Sequence, residues 1–322
     1  MKKIIILTPA LPESLKGNGI TALRYKGIFE TLGYDVVIST DFVDQPFDIV
    51  LAIHAVKSYE SFRRYHDTYP GIKKILVLGG TDIYESRFRD GNRFKSSVDI
   101  ADVVVGLERN VSTNFGTQDA SKLKIITQSV DGIEISNTPP TRNFLNLIMT
   151  GHIRPGKNHF FVVEVTKNLP VEIQKRIKIT HVGRALSEEA EKQAEEYSAS
   201  CDFYDWLGLV ERKEVLRLLA EGDCFIQPSY FDSASSAVIE AVVMGRPILA
   251  SGIDGVLGVL GNDYDGYFDP YDSVSLEKIL LKILDDDSFL VDLRSQVLKR
   301  RGLFTIEKET RAWEDLFTDL LR

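Results

Sequence analysis

The chain is poor in several things, and each shortage removes a class of function. Two cysteines, Cys201 and Cys224, among 322 residues are too few for a disulfide framework and fit a reducing compartment. Cys224 sits in an apolar run and reads as a core residue. There is no basic excess: 39 Lys and Arg against 47 Asp and Glu leave a net charge of −8. A nucleic-acid binder would usually show a basic face instead. No apolar run approaches the roughly 20 residues needed to cross a bilayer, so no integral membrane contact is expected. No secretory signal is visible, because Lys2 and Lys3 lead straight into Ile4–Leu7 and then Pro9 and Pro12. A cytoplasmic location is the expectation. What the chain does have is 43% hydrophobic and 27% charged residues, the composition of a globular chain long enough for about two domains.

Strand-like runs alternate with helix-length segments throughout, which predicts α/β architecture with parallel sheets and right-handed crossovers. The runs of the first half are Lys3–Leu7, Asp35–Ser39, Ile49–Ile53, Lys74–Leu78, Val103–Leu107 and Lys124–Thr127. Those of the second half are Leu145–Thr150, Ile177–Val182, Phe203–Trp206, Cys224–Gln227 and Ile248–Ala250. Between them Ile135–Phe144 carries two prolines and little apolar content, and the domain boundary is placed there. The expected domains are residues 1–137 and 138–304, followed by a last helix in residues 305–322. That helix, about Thr305–Leu321, has Ile306, Trp313, Leu316, Phe317 and Leu320 at helical spacing. Two doubly wound, Rossmann-like domains facing across a cleft would line it with the carboxyl ends of their strands, where ligands bind in such sheets.

The stretch Gln227–Ser251, QPSYFDSASSAVIEAVVMGRPILAS, organises the rest. It reads as the end of a strand, a polar loop, a helix over about 235–244 and a second strand. Ser233, Ala234, Ser235, Ser236 and Ala237 are small, so a ligand can approach the N–H groups of the helix start, which favour a phosphate. Asp232 in the loop and Glu240 on the helix add carboxylates that can accept sugar hydroxyls. Other candidates follow strands as well. Lys16–Arg24, KGNGITALR, is a glycine turn in which Gly17 and Gly19 permit close approach and Asn18 tolerates unusual dihedrals or caps a helix. His54 ends the third strand, either as a satisfied core residue or as a ligand to substrate. Gly79–Glu85, GGTDIYE, follows the fourth, with Thr81 or Asp82 able to cap a helix. Arg154 and Lys157 follow the strand that ends at Gly151. Trp206, in the strand-like run Phe203–Trp206, reads as a core residue. Glu211–Glu221 reads as a solvated helix without chemistry.

The Asp232 to Glu240 stretch resembles the nucleotide-sugar loop of retaining GT-B glycosyltransferases, with an acid, a seven-residue gap and a Glu-Ala pair. The resemblance implies that Glu240 bonds the ribose, that Asp232 holds a hydroxyl of the transferred sugar, and that Arg154 and Lys157 neutralise the diphosphate. His152 stands where many members have Arg. It also implies a His, here His54, next to the transferred sugar, and a last helix that crosses back to the first domain. Gly17, Asn18, Ser235, Ser236 and Ala237 complete the expected donor-binding set.

Six further stretches extend the match over nearly the whole chain: GNGITALR at Gly17, HAVKS at His54, LGGTDIYES at Leu78, TGHIRPGKN at Thr150, YDWLG at Tyr204, and the run Ala237–Phe268. Together they resemble the selenosugar synthases of selenoneine biosynthesis. The implied reaction transfers a sugar from a UDP-sugar, expected to be UDP-N-acetylglucosamine, to selenophosphate, giving a 1-seleno-sugar. Two departures stand out, the bulkier Asp232–Ser236 loop and the less acidic RPGKN turn. An anionic acceptor calls for positive charge in the first domain, where Arg24 and Lys57 qualify, beside His54, Thr81 and Asp82. The donor is a substrate, and neither a cofactor nor a metal is expected, since no clear Asp-x-Asp metal motif of the glycosyltransferase kind is present. Alternatives are transfer to a hydroxyl in glycan synthesis, transfer to free phosphate, and a sugar-nucleotide sensor without turnover.

Overall fold

The structure, a computed structural model, describes residues 1–14, 17–115, 120–135 and 144–322. It divides into two compact units, residues 1–129 with 306–322, and residues 130–305. Most of the proline-containing stretch expected as the boundary, residues 136–143, lies outside the described residues.

The first unit holds six parallel strands: β1 Lys3–Leu7, β2 Asp35–Ser39, β3 Ile49–Ile53, β4 Lys73–Val77, β5 Val103–Gly106 and β6 Leu123–Ile125, in the order β2-β1-β3-β4-β5-β6. Runs such as KIIIL and IVLAI are apolar on both faces because helices cover both sides of a parallel sheet. Ile4, Ile5, Ile6, Val50 and Leu51 are fully buried, and each such side chain contributes about 1.5–3 kcal/mol on leaving water. The helix Ile306–Leu320 belongs to this unit. Its periodic apolar face is what docks: Trp313 packs 5.0 Å from Tyr25 and 5.1 Å from Phe29, edge to face, and Phe317 lies 4.9 Å from Phe29.

The second unit holds β7 Leu145–Thr150, β8 Ile177–Val182, β9 Tyr204–Trp206, β10 Cys224–Gln227, β11 Ile248–Ser251 and β12 Tyr267–Phe268, all parallel, in the order β12-β11-β10-β7-β8-β9. The two-residue β12 is absent from the sequence reading, because so short a strand has no periodicity and is defined only by its pairing with β11. Cys224 is buried in β10, and that burial pushes its thiol pKa up.

Strand order fixes where each sheet has its switch point. In the first unit the chain leaves β1 for β2 on one side and returns to β3 on the other; in the second it leaves β7 for β8 and β9 and returns to β10. The loops after β1 and β3, and after β7 and β10, therefore diverge at a topological switch point and open a crevice at the carboxyl ends of the strands.

Candidate active site

In the second unit, β7 and β8 end in glycines for a steric reason. Gly151 and Gly183 have φ of +139° and +144°, and a Cβ on Gly183 would lie 2.0 Å from the Gly151 carbonyl oxygen. Two buried histidines support this turn. His181 Nε2 lies 3.2 Å from Gly151 O and its Nδ1 lies 2.9 Å from the Tyr204 hydroxyl. The His159 ring packs 4.4 Å from that of His181. Burial lowers the His181 pKa to about 4 and holds that of His159 well below its ordinary value, helped by the neighbouring His181 and Lys157. At neutral pH both rings are uncharged, so the turn's positive charge comes from Arg154 and Lys157.

The loops after β7 and β10 are pinned together. Tyr230 N donates to Gly156 O at 3.1 Å, and the Phe231 ring lies where a Cβ on Gly156 would come within 2.6 Å of it. That contact brings Lys157 Nζ to 2.5 Å from Asp232 Oδ2, with the two side chains 16% and 15% exposed. Gln227 closes the group: its Nε2 donates to the same Asp232 oxygen at 2.6 Å, and its Oε1 accepts from Ser235 Oγ at 3.2 Å. Asp232 Oδ1 takes the Ser233 N–H at 3.1 Å. Gly255 completes the packing, since a Cβ there would lie 2.0 Å from Asp232 O.

The helix that follows, Ser236–Met244, starts with exposed Ser236 and half-buried Ala237. Among the described residues its Ser235 N-cap makes no side-chain capping bond, which leaves the first N–H groups for an anion. Glu240 is 8% exposed on this helix. Its Oε1 accepts from Arg212 Nη1 at 2.8 Å. Burial raises the Glu240 pKa and Arg212 opposes that rise.

In the first unit four expected residues form one cluster. His54, buried and at φ 78°, lies at the end of β3; a non-glycine residue in this region is uncommon and marks a constrained position. Its Nδ1 lies 2.7 Å from Asp82 Oδ1 and 3.3 Å from the Lys57 amide, and its Nε2 lies 3.2 Å from Thr81 Oγ1. With the proton on Nδ1 the ring faces the carboxylate; with it on Nε2 the ring accepts the Lys57 N–H and donates to Thr81. Asp82 opens a π-helical turn, Asp82–Ser86, a form common at functional sites, and its Oδ2 accepts from Gly79 N at 3.0 Å. The Lys57 side chain is exposed.

Other expected residues stand apart from these groups. Arg24 bonds through Nε to both carboxylate oxygens of buried Glu309, at 3.3 and 3.2 Å. Glu309 also accepts from Ser129 N and Oγ at 2.6 and 2.5 Å. Gly17 and Asn18 lie inside the helix Gly17–Thr31, so Asn18 does not cap it; Lys16 is outside the described residues. The close approach at Gly19 is to the chain itself, 2.5 Å from Leu11 O for an added Cβ, and among the described residues a Cβ on Gly17 would meet nothing within 4 Å. Arg154 lines a cavity of about 350 Å³ with Pro155, Asn158, Phe160 and Gln193. Trp206 donates to Gly183 O at 2.7 Å, so it ties β9 to the glycine turn.

Two side chains central to the second unit have no role in the sequence reading. Gln227 left one trace, a polar residue ending the apolar run CFIQ. Arg212 left none. The helix Arg212–Glu221 is solvated as expected, and it carries the ionic partner of Glu240. Among the described residues no group of three His, Cys, Asp or Glu side chains could hold a metal ion, and no helix is long and apolar enough to cross a membrane.

Residues 134–300, just over half of the chain, match the family Glycosyl transferases group 1. The chain belongs to this family. The matched region holds the Lys157–Asp232 and Arg212–Glu240 pairs, so this glycosyltransferase carries both within its family domain. The serotype-specific mannosyltransferase WbdA of Escherichia coli is 22% identical over 274 residues, covering 80% of this chain and 33% of WbdA. The chain thus spans about one third of that relative's length. Among solved structures, Anabaena HepE in complex with UDP is similar with a TM-score of 0.77 at 15% identity, covering 99% of this chain and 100% of HepE. Sucrose-phosphate synthase from Thermosynechococcus elongatus is similar with a TM-score of 0.80 at 14% identity, covering 100% and 99% of the two chains. The fold is α/β of the GT-B kind.

Proposed function

We propose that this glycosyltransferase takes a sugar, expected to be N-acetylglucosamine, from a UDP-sugar with retention of configuration and delivers it to selenophosphate. The observation that carries the donor half is the meeting of Lys157, Asp232, Gln227 and Ser235 at the β7/β10 switch point. Lys157, with Arg154 and the open N–H groups at Ser235 and Ser236, would stabilise the diphosphate as it departs. Glu240 would take the ribose and Asp232 a hydroxyl of the sugar. The UDP bound to HepE supports a uridine nucleotide here.

The acceptor half rests on the resemblance to selenosugar synthases. The C1–O bond to the diphosphate breaks, UDP leaves with the electron pair, and a selenium lone pair forms the C1–Se bond. Water then cleaves the Se–P bond and releases phosphate and the 1-seleno-sugar. Selenophosphate is strongly nucleophilic, so no general base is required. A hydroxyl acceptor is the second reading, favoured by the names of the mannosyltransferase relatives. For it, His54 backed by Asp82 at 2.7 Å would be the group to take the hydroxyl proton.

The test is a cross-screen of UDP-sugars against selenophosphate, thiophosphate, phosphate, hydroxyl acceptors and water, read by mass spectrometry. A seleno-sugar formed far faster than any other product is the expected result. UDP release without one would move the assignment to another acceptor, and donor binding without reaction would leave a sensor. Arg24→Ala is expected to raise the acceptor KM about tenfold, a loss of about 1.4 kcal/mol, with donor affinity unchanged. It also leaves Glu309 without its cation, so the thermal midpoint should fall. An unchanged acceptor KM would remove Arg24 from the site.

A further inference from the structure

Arg212 occupies a position that its own helix does not explain. It is the first residue of Arg212–Glu221, and a cation at a helix N-terminus is opposed by the dipole. The other arginine of this helix, Arg217, pairs along the exposed surface with Glu214 and Glu221. Arg212 instead reaches 28 positions along the chain to Glu240, on a different helix. Its own side chain is 57% exposed, whereas that of Glu240 is 10% exposed. The contact uses only Oε1, and among the described residues Oε2 has no hydrogen-bond partner. Glu240 is therefore held from one side in a single orientation with its second oxygen available.

We infer that Arg212 is a positioning residue for Glu240, and that the pair sets the preference for ribonucleotide over deoxyribonucleotide donors. This rests on the ribose role proposed above. A buried carboxylate without that contact would be free to protonate or rotate. Arg212 is the cation in contact with it, and it opposes the rise in pKa that burial causes. With Oε1 engaged and the group ionised, Oε2 offers a fixed acceptor to a ribose hydroxyl, and an analogue lacking that hydroxyl leaves it unmet.

The test is calorimetry with UDP and its 2′-deoxy and 3′-deoxy analogues, from pH 5 to 8, on the whole chain. The variants are Arg212→Gln, Arg212→Lys, Glu240→Gln and Arg212→Gln combined with Glu240→Gln. At pH 7 Arg212→Gln should weaken UDP binding about tenfold and bring the affinity for UDP close to that for one deoxy analogue. Its loss of affinity on acidification should begin at higher pH than in the wild type. Arg212→Lys should restore part of the effect, and Arg212→Gln should add nothing when Glu240 is already Gln. If Arg212→Gln keeps the wild-type preference for UDP, or adds its full effect to Glu240→Gln, the inference falls and the ribose role stands. If Glu240→Gln itself binds all three nucleotides like the wild type, the ribose role falls and this inference with it.

Discussion

Glu240→Gln is expected to weaken UDP binding by about 10- to 150-fold, because a hydrogen bond to a charged group contributes about 1.5–3 kcal/mol. The amide keeps the shape of the side chain but loses the charge that Arg212 Nη1 meets at 2.8 Å. Stability should change far less than affinity. Burial raises the Glu240 pKa, so the folded state holds its proton more readily than the unfolded chain does. The stabilisation linked to that proton is complete below the ordinary carboxylate pKa and is lost as pH rises through the raised value. At neutral pH the wild type already bears the cost of a buried charge, and Gln removes it while losing the ion pair. Calorimetry with UDP and a thermal melt check both halves; unchanged affinity would take Glu240 out of the donor site.

Lys157→Ala with Arg154→Ala is expected to lower kcat at saturating donor by about 10²- to 10³-fold, the scale for removing a preorganised donor to developing negative charge. Most of this should follow Lys157 alone. Its Nζ is already at the β7/β10 switch point, 2.5 Å from Asp232, whereas Arg154 lines the neighbouring cavity. Lys157→Ala does not orphan Asp232, because Gln227 Nε2 and Ser233 N still donate to it. A folded variant is therefore expected, and steady-state kinetics with a melt separates lost chemistry from lost structure. Near wild-type turnover in the double variant would rule out these two side chains as the diphosphate clamp.

Much of the α/β fold was legible from local pattern. Runs such as Lys3–Leu7, Ile49–Ile53 and Ile177–Val182 are strands at the expected residues, because a strand buried on both faces is apolar throughout and bounded by polar turns. The apolar face of the last helix was equally visible, since helical spacing is a property of the segment itself. The polar loops after β7 and β10, with Lys157, Asp232 and a run of small residues, could be picked out as ligand-facing, as could Glu240 on the helix that follows.

Which of those side chains meet was not legible. Lys157 and Asp232 are 75 positions apart and touch because β7 and β10 are neighbours at a switch point. Arg24 and Glu309 are 285 apart and touch because the last helix packs in the first unit. Arg212 belongs to a helix whose one-dimensional pattern is that of a solvated surface, and only the tertiary approach of its side chain to Glu240 gives it a partner. Periodicity records which face of a segment is buried and says nothing of what covers it. The sequence by itself determined the elements, the parallel sheets and the loops able to carry chemistry. The tertiary structure alone decided the strand order and the charge pairs, because ionic partners are chosen by distance in space, and strand order sets that distance.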